Sequence, residues 1–226
     1  MQFTFYGHSC FSVTIKGKNI LFDPFITPNP KAKDIDVNSI EADYILLSHG
    51  HGDHVADALT IAKNTGATIV SNYEIIDWYK SQGYEIGHPL NHGGAWNFDF
   101  GKVKYVNAIH GSVLPDGTYG GNPGGFVITS DEGNFYFAGD TALTMDMKLI
   151  PKITKLDFAV LPIGDNFTMG YKDAIIAAEF VECDKIVGVH YDTFGYIEID
   201  KDVAKAAFTS KGKELILMKI GETRDL

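Results

Sequence analysis

The sequence predicts an α/β (α+β) fold in which two packed β-sheets are covered by helices. Strand-like apolar runs occur in groups, segments with helical periodicity lie between them, and no linker or low-complexity tract divides the chain. With 226 residues and a hydrophobic fraction of 45%, the chain can build one large core, but it is too short for this fold plus a second full domain. We therefore expect a single domain over residues 1–226.

The predicted strands are short and apolar, and the predicted helices have apolar residues at three- and four-residue spacing. Strands are expected near the N-terminus and at 10–16, 19–23, 43–48, 67–71, 102–109, 124–130, 134–138, 157–163, 185–189 and 214–220. Helices are expected near 54–64, 72–82, 144–150, 171–182 and 200–210. In the fourth helix, Ala174, Ile175 and Ala178 form an apolar face, which we interpret as core.

The most informative segment follows the strand predicted at 43–48. It reads His49-Gly50-His51-Gly52-Asp53-His54 and places three imidazoles and one carboxylate within six residues. This density of nitrogen and oxygen ligands predicts a site for transition-metal ions. In an extended segment His49 and His51 point to the same side, so this pair can serve one ion and the Asp53–His54 pair a second. The alternative, a polar loop that is merely rich in histidine, is weakened by residues further along the chain.

Three further ligand-type residues follow strand-like runs. They are His110, Asp140 and His190. For any one of them alone, a polar residue that ends a strand is the better interpretation. Together with the four side chains of the histidine-rich loop they give seven candidate ligands, which is enough for two ions.

On these residues the sequence resembles the metallo-β-lactamase superfamily, whose signature is an HxHxDH loop, an isolated His, a Gly-Asp-Thr/Ser motif and a final His. The matching positions are His49 to His54, His110, Gly139-Asp140-Thr141 and His190, and Asp23 matches the family's first aspartate. The resemblance spans nearly the whole chain and implies a four-layer αββα sandwich of two mixed β-sheets, with metals at one rim between the sheets. Segments 7–11, 161–170 and 190–194 look like a poorly characterised branch of metal-dependent hydrolases that is similar to L-ascorbate-6-phosphate lactonase.

The resemblance implies a site for two divalent metal ions. His49, His51 and His110 would hold the first ion, Asp53, His54 and His190 the second, and Asp140 would bridge them. Zn²⁺ is the default for such ligands, and Mn²⁺ or Fe²⁺ also suit them. The expected chemistry is hydrolysis by a bridging hydroxide, because metal binding lowers the pKa of water from about 16 to near 7. Asp53 would also orient the nucleophile and shuttle its proton.

Other residues are candidates with weaker support. His8, after the first strand, is a candidate catalytic residue as a proton donor or substrate contact, although it could simply be hydrogen-bonded in a turn. Asp165 ends a strand and is a candidate hydrogen-bond partner of a ligand histidine. The remaining candidates for contacts to substrate or to the ligands are Asp23, Thr168, Tyr191 and Thr193, of which the last three could equally be capping or turn residues. His88 and His92 are interpreted as surface residues.

The charge of the chain favours a small-molecule substrate. A net charge of −10, with no visible Lys/Arg cluster, argues against a nucleic-acid partner. A strongly anionic substrate would depend on the metals for attraction, because few basic residues near the site can be identified from sequence. The long loops 24–39 and 111–125 are the predicted substrate walls.

Targeting signals and cysteine usage indicate a cytoplasmic protein. No basic segment precedes an apolar core at the N-terminus, and no apolar run approaches the eighteen or so residues of a membrane helix. Cys10 and Cys183 make a disulfide framework improbable, and we interpret both as small apolar fillers. We expect no membrane partner, and a homo-oligomer is a weak expectation.

The leading functional hypothesis is a binuclear metal-dependent hydrolase that acts on a small ester-type substrate, which could be a lactone, a phosphate ester or a sugar phosphate. A phosphodiesterase or nuclease-type hydrolase stays open, because such relatives share the HxHxDH loop. An iron-dependent redox enzyme on the same fold is a further alternative. A non-catalytic binding module is the weakest, because every ligand position is filled.

Overall fold

Two seven-stranded mixed β-sheets pack face to face in the computed structural model, which describes residues 1–226. The first sheet has the spatial order β14 (Thr223–Asp225), β1 (Gln2–Gly7), β2 (Cys10–Ile15), β3 (Lys18–Phe22), β4 (Tyr44–Leu46), β5 (Thr68–Asn72) and β6 (Gly87–Leu90). The second has the order β13 (Glu214–Ile216), β12 (Lys185–Val189), β11 (Phe158–Pro162), β10 (Gly133–Phe137), β9 (Gly124–Ser130), β8 (Lys102–Asn107) and β7 (Ala95–Asn97).

Helices cover the outer faces of both sheets. They are α1 (Gly52–Val55), α2 (Ala58–Thr65), α3 (Tyr73–Ser81), α4 (Tyr171–Phe180) and α5 (Lys201–Thr209), with 3₁₀ turns at Val37–Ser39, Met145–Lys152 and Gly195–Ile197. Side-chain caps begin two of them: Asn72 accepts a hydrogen bond from Ile75 N at α3, and Asp200 accepts from Asp202 N at α5. No helix combines the length and apolarity that a membrane span requires.

Three apolar layers hold these elements together. The layer between the sheets is aromatic, and Phe11 stacks on Phe3 and on Phe22 at ring-centroid distances of 4.7 and 4.5 Å. A second layer packs α4 and α5 on the second sheet, and a third packs α2 and α3 on the first. The predicted αββα sandwich of two mixed sheets is therefore confirmed.

Strand direction brings the ends of seven strands to one rim. In the first sheet β3 and β4 are parallel, and β1 shares their direction because β1 and β3 are both antiparallel to β2. In the second sheet β10, β11 and β12 are parallel, and β8 shares their direction because β8 and β10 both pair antiparallel with β9. A backbone hydrogen bond of 2.9 Å from His190 N to His8 O joins the two sheets at this rim.

Local chemistry accounts for the differences from the predicted elements. The helix expected at 144–150 is a 3₁₀ segment that contains Pro151, whose ring and missing N–H disfavour an α-helix. The helix expected at 54–64 divides into α1 and α2 around Asp57, whose carboxylate accepts hydrogen bonds from Ile26 N and Thr27 N. The strands β6, β7 and β14 were not predicted, because they are only three or four residues long, and β7 and β14 are exposed throughout and so lack an apolar pattern.

Candidate metal centre

The structure brings all seven predicted ligands together at the rim where these seven strands end. Asp140 lies at the centre of this group: its Oδ2 is 3.0 Å from His190 Nε2 and 3.2 Å from His54 Nε2. The same oxygen is 3.6 Å from His110 Nε2 and 4.0 Å from His49 Nε2. One carboxylate oxygen therefore faces imidazoles from both halves of the predicted ligand set.

The first half consists of His49, His51 and His110. Their nearest ring nitrogens all lie within 4.8 Å of one another, with 3.0 Å between His49 Nε2 and His51 Nδ1. His49 is buried, whereas His51 and His110 are half-buried and face an open cavity of about 250 Å³. Three converging imidazoles of this kind could hold a divalent transition-metal ion.

The second half consists of Asp53, His54 and His190, and it also includes His8. One ligand atom from each of these four side chains lies within 4.8 Å of the others. Asp53 Oδ2 is 3.8 Å from His54 Nε2 and 4.0 Å from His190 Nε2. This group could hold a second cation beside the first.

Unsatisfied polar atoms test whether the residues fit a metal. Asp140 Oδ1, His54 Nε2 and His190 Nδ1 are buried and have no hydrogen-bond partner. Buried polar atoms in proteins are nearly always paired, because leaving them unpaired costs about 1–3 kcal/mol each. His54 Nε2 faces the carboxylates of Asp53 and Asp140 within a set of imidazole nitrogens and carboxylate oxygens that suits divalent transition metals, so the residues fit such ions.

Asp23 and Ser48 orient two of the predicted ligand histidines. Asp23 is fully buried, and its Oδ2 accepts a 2.7 Å hydrogen bond from His54 Nδ1, which leaves Nε2 to face the centre. Ser48 Oγ donates to the same carboxylate at 2.5 Å and, as its hydrogen is then used, accepts from His49 Nδ1 at 2.9 Å. One carboxylate thus fixes the tautomers in which both Nε2 atoms offer a lone pair, as metal ligands require.

His8 is held between Asp53 and Thr193. Burial lowers the pKa of His8 to about 4, so the ring is neutral at pH 7. Because a carboxylate only accepts hydrogen bonds, His8 Nε2–H donates to Asp53 Oδ2 at 3.1 Å, and Nδ1 accepts from Thr193 Oγ1 at 3.0 Å. His8 is buried and contacts the carboxylate of a predicted ligand, and it does not line the open cavity.

Burial and nearby carboxylates shift the pKa values of the site histidines in different directions. Burial lowers the pKa of His49, His51 and His110, which keeps these rings in the neutral form that binds metals. Burial alone would also lower the pKa of His54, but the carboxylates of Asp140, Asp23 and Asp53 raise it well above its usual range. A divalent cation would compete for the same negative field that holds this proton.

Backbone strain accompanies three of these residues. His8, Asp23 and His190 each directly follow a strand and have φ of +56°, +41° and +55°. Non-glycine residues rarely adopt this left-handed region, which costs about 1–3 kcal/mol per residue and is concentrated at functional sites. The reversal of the chain at these strand ends turns the three side chains into the buried rim.

Several predicted site residues lie elsewhere. Asp165 is exposed, and its carboxylate accepts a hydrogen bond only from Asn166 N. It therefore does not contact a predicted ligand histidine, whereas Asp23 does. Thr168 Oγ1 bonds to the carbonyl of Met169 and does not line the open cavity. Tyr191 and Thr193 line a different cavity. His88 and His92, predicted to be surface residues, are partly exposed and contact none of the ligands.

Three residues near the centre were missed by sequence reasoning. Ser48 could have been identified, since it directly precedes the histidine-rich loop at a strand end. Phe167 and Phe194 form the apolar part of the open cavity, together with the predicted ligands. No sequence signal distinguishes these two rings from the other phenylalanines.

Comparison with known proteins agrees with this architecture. A family model for the "Beta-lactamase superfamily domain" matches residues 2–190. The chain is 63% identical over 226 residues to a UPF0173 metal-dependent hydrolase of Flavobacterium johnsoniae, with full coverage of both chains. It is 48% identical over 223 residues to a second such hydrolase, from Methylacidiphilum infernorum, with 99% of each covered.

A solved structure shows the same fold. Igni18, described as a novel metallo hydrolase from the archaeon Ignicoccus hospitalis, superposes with a TM-score of 0.88 at 32% identity, covering 100% of this chain and 98% of that chain. The fold and site thus define the class: a metallo-hydrolase of the αββα sandwich type. The chain belongs to the metallo-β-lactamase superfamily and, within it, to the UPF0173 family of metal-dependent hydrolases.

Proposed function

We propose that the chain is a binuclear metal hydrolase for small ester-type substrates. His49, His51 and His110 hold one ion, Asp53, His54 and His190 hold the other, and Asp140 bridges them. The observation that carries this proposal is the position of Asp140 Oδ2, which lies 3.0–4.0 Å from nitrogens of four histidines drawn from both halves of the site. Zn²⁺ is the proposed metal, with Mn²⁺ or Fe²⁺ as alternatives for the same ligands.

Asp53 and His8 have separate roles in the proposed reaction. When bound, divalent ions supply acidified water and polarise a substrate oxygen. Asp53 combines a position among the ligands with an oxygen that accepts from His8, so its orientation is fixed before substrate arrives. We assign Asp53 the handling of the nucleophile's proton and His8 the positioning of Asp53, because His8 is buried behind it.

The open cavity favours an uncharged ester. Apart from the predicted ligands its wall consists of Phe167 and Phe194, and no lysine or arginine contributes to it. A volume of about 250 Å³ suits a small molecule. Within the ester class this favours a lactone or simple ester over a sugar phosphate, and the missing basic groups also disfavour a nucleic acid.

Metal analysis and a substrate panel test the proposal. The purified protein should contain about two divalent ions per chain and should hydrolyse lactones faster than phosphodiesters. The Asp140→Asn variant should lose metal and turnover together, whereas Asp165→Asn, which removes an exposed carboxylate outside the centre, should keep both. One ion per chain at full activity would contradict the binuclear site. Oxygen consumption by iron-loaded protein without hydrolysis would favour the redox alternative.

A further inference from the structure

A second, larger cavity lies next to the metal centre and shares His8 with it. Its volume is about 470 Å³, and none of the seven predicted ligands lines it. Thr193, the hydrogen-bond partner of His8 Nδ1, forms part of the same wall. The second cavity is therefore separate from the open cavity. His8 and Thr193 line the second cavity and also form the hydrogen-bonded chain that holds Asp53.

Four lysines converge on this second cavity from three parts of the chain. Lys31 comes from the loop after β3, Lys201 and Lys205 lie one turn apart on α5, and Lys219 lies between β13 and β14. Their separation in sequence explains why no basic cluster is visible there. Such a concentration of positive charge is unexpected in a chain with a net charge of −10.

Three of these lysines form no salt bridge. Asp192 is the only acidic residue in the wall, and its Oδ2 is paired with Lys201 Nζ at 2.7 Å. The ammonium groups of Lys31, Lys205 and Lys219 have no carboxylate within 4.0 Å and no hydrogen-bond acceptor. Like charges around a concave surface repel one another, and a bound anion would relieve that repulsion.

A buried amide donor without a partner lies beside the wall of this cavity. Asn29 is 1% exposed, and its Nδ2 has no acceptor. It lies against Gly7, which lines the cavity: a Cβ at Gly7 would be 2.9 Å from Asn29 Nδ2. A buried amide without an acceptor is rare, so the wall beside Gly7 holds a polar group that the fold itself leaves unpaired.

The remaining wall is apolar. Phe5 and Met218 are buried side chains, and Leu217 and Ile220 are half-buried. The combination of an apolar floor with ammonium groups is suited to a molecule that has an apolar body and an anionic head.

We infer that this cavity is a binding site for a small organic anion, with a phosphate or carboxylate head held by Lys31, Lys205 and Lys219 and an apolar body on Phe5 and Met218. This site is distinct from the proposed ester-binding cavity. Binding does not require turnover, so failure of this inference and failure of the proposed hydrolysis can be distinguished.

Calorimetric titration of the metal-loaded protein with hexyl phosphate, hexanoate and hexanol tests the inference. The three probes share a chain length and differ in the head group, so the first two distinguish phosphate from carboxylate. Binding of at least one anion, with weaker binding at high salt and none by hexanol, is the expected result. No binding by either anion, or equal binding by hexanol, would overturn the site.

Lysine variants test whether the anion binds in the second cavity. Lys205→Gln and Lys219→Gln should each weaken anion binding about fivefold, and the double variant more. Lys211→Gln, which removes an exposed lysine just beyond α5 and outside the cavity, is the matched control and should bind as the parent does. Phosphate can also bind metals, so the His110→Ala variant, which lacks a proposed metal ligand, is titrated as well. Retained affinity for the anion in this variant supports binding in the second cavity. Lost affinity in His110→Ala, or unchanged affinity in both lysine variants, would contradict it.

Discussion

Asp23 accepts a 2.7 Å hydrogen bond from His54 Nδ1, and both side chains are completely buried at the rim between the sheets. The same carboxylate accepts from Ser48 N and Ser48 Oγ, and Ser48 in turn holds His49. Two imidazoles in opposite halves of the proposed metal centre therefore depend on one carboxylate that is not itself among the proposed ligands.

The first prediction concerns this carboxylate. Asp23→Asn replaces one acceptor oxygen by a donor and should lower metal affinity about 10- to 100-fold, because the tautomers of His54 and His49 are no longer fixed. Competition with a chromogenic chelator measures the affinity. Asp165→Asn serves as control, since its carboxylate bonds only within its own loop. Equal affinities in the two variants would show that Asp23 does not orient the ligands.

A second prediction concerns chelation. The carboxylates of Asp23, Asp53 and Asp140 lie close together among the histidines, so a bound cation stabilises the folded chain relative to the unfolded one. Removal of metal by a chelator should lower the free energy of unfolding by about 3 kcal/mol or more for ions present at 100 times their dissociation constant. Thermal unfolding with and without chelator measures the change, and Zn²⁺ in excess should restore it. An unchanged melting temperature would mean that the cluster binds no cation.

Gly139 gives a third prediction, on backbone packing beside Asp140. Its φ is +63°, and a Cβ there would lie 2.7 Å from Gly124 O and 2.8 Å from Ser48 Cβ. Gly139→Ala should therefore lower the free energy of unfolding by about 3 kcal/mol and displace Ser48 and Asp140. Gly17→Ala is the matched control, with φ of +72° and no atom within 4 Å of the new Cβ. That variant should cost only about 1 kcal/mol of left-handed strain. Denaturant titration distinguishes a clash at Gly139 from a common effect of positive φ.

The cluster of candidate ligands at the strand ends could be predicted because their chemistry and their position are both local in sequence. An apolar run followed by His110, Asp140 or His190 identifies a buried strand and a polar end, and parallel strands bring such ends to one rim. The residues that orient these candidate ligands were harder to predict. Asp23 holds His54 across 31 positions of the chain, and such a pairing has no local pattern.

The lysines of the second cavity also could not be predicted from local sequence patterns. Lys31, Lys201 and Lys219 are ordinary surface residues when taken one at a time, and only the fold brings them together. The sequence suggested few basic groups near the site for this reason. The misplacement of Asp165 has a related cause, because a loop residue after a strand can bond within its own turn as readily as to a ligand.

The two cysteines give a fourth prediction. Both are buried, and burial raises the pKa of the Cys10 and Cys183 thiols, so little thiolate is available. The native protein should react with an aromatic disulfide reagent far more slowly than a free thiol does, and two thiols per chain should react in denaturant. Rapid reaction of one thiol under native conditions would identify an exposed or activated cysteine, in conflict with the interpretation of both as apolar fillers.

Thr193 gives the last prediction, on how His8 reaches Asp53. Neutral His8 can donate from Nε2 to Asp53 only if Nδ1 carries no proton, and the Thr193 hydroxyl favours that tautomer by donating to Nδ1. Thr193→Val keeps the shape but removes the donor, so kcat should fall about tenfold with KM nearly unchanged, whereas Thr193→Ser should retain activity. A lactone substrate identified by the panel provides the assay. Equal activity of the Val and Ser variants would show that the hydroxyl does not position His8, and a larger KM in both would indicate a role of Thr193 in substrate binding instead.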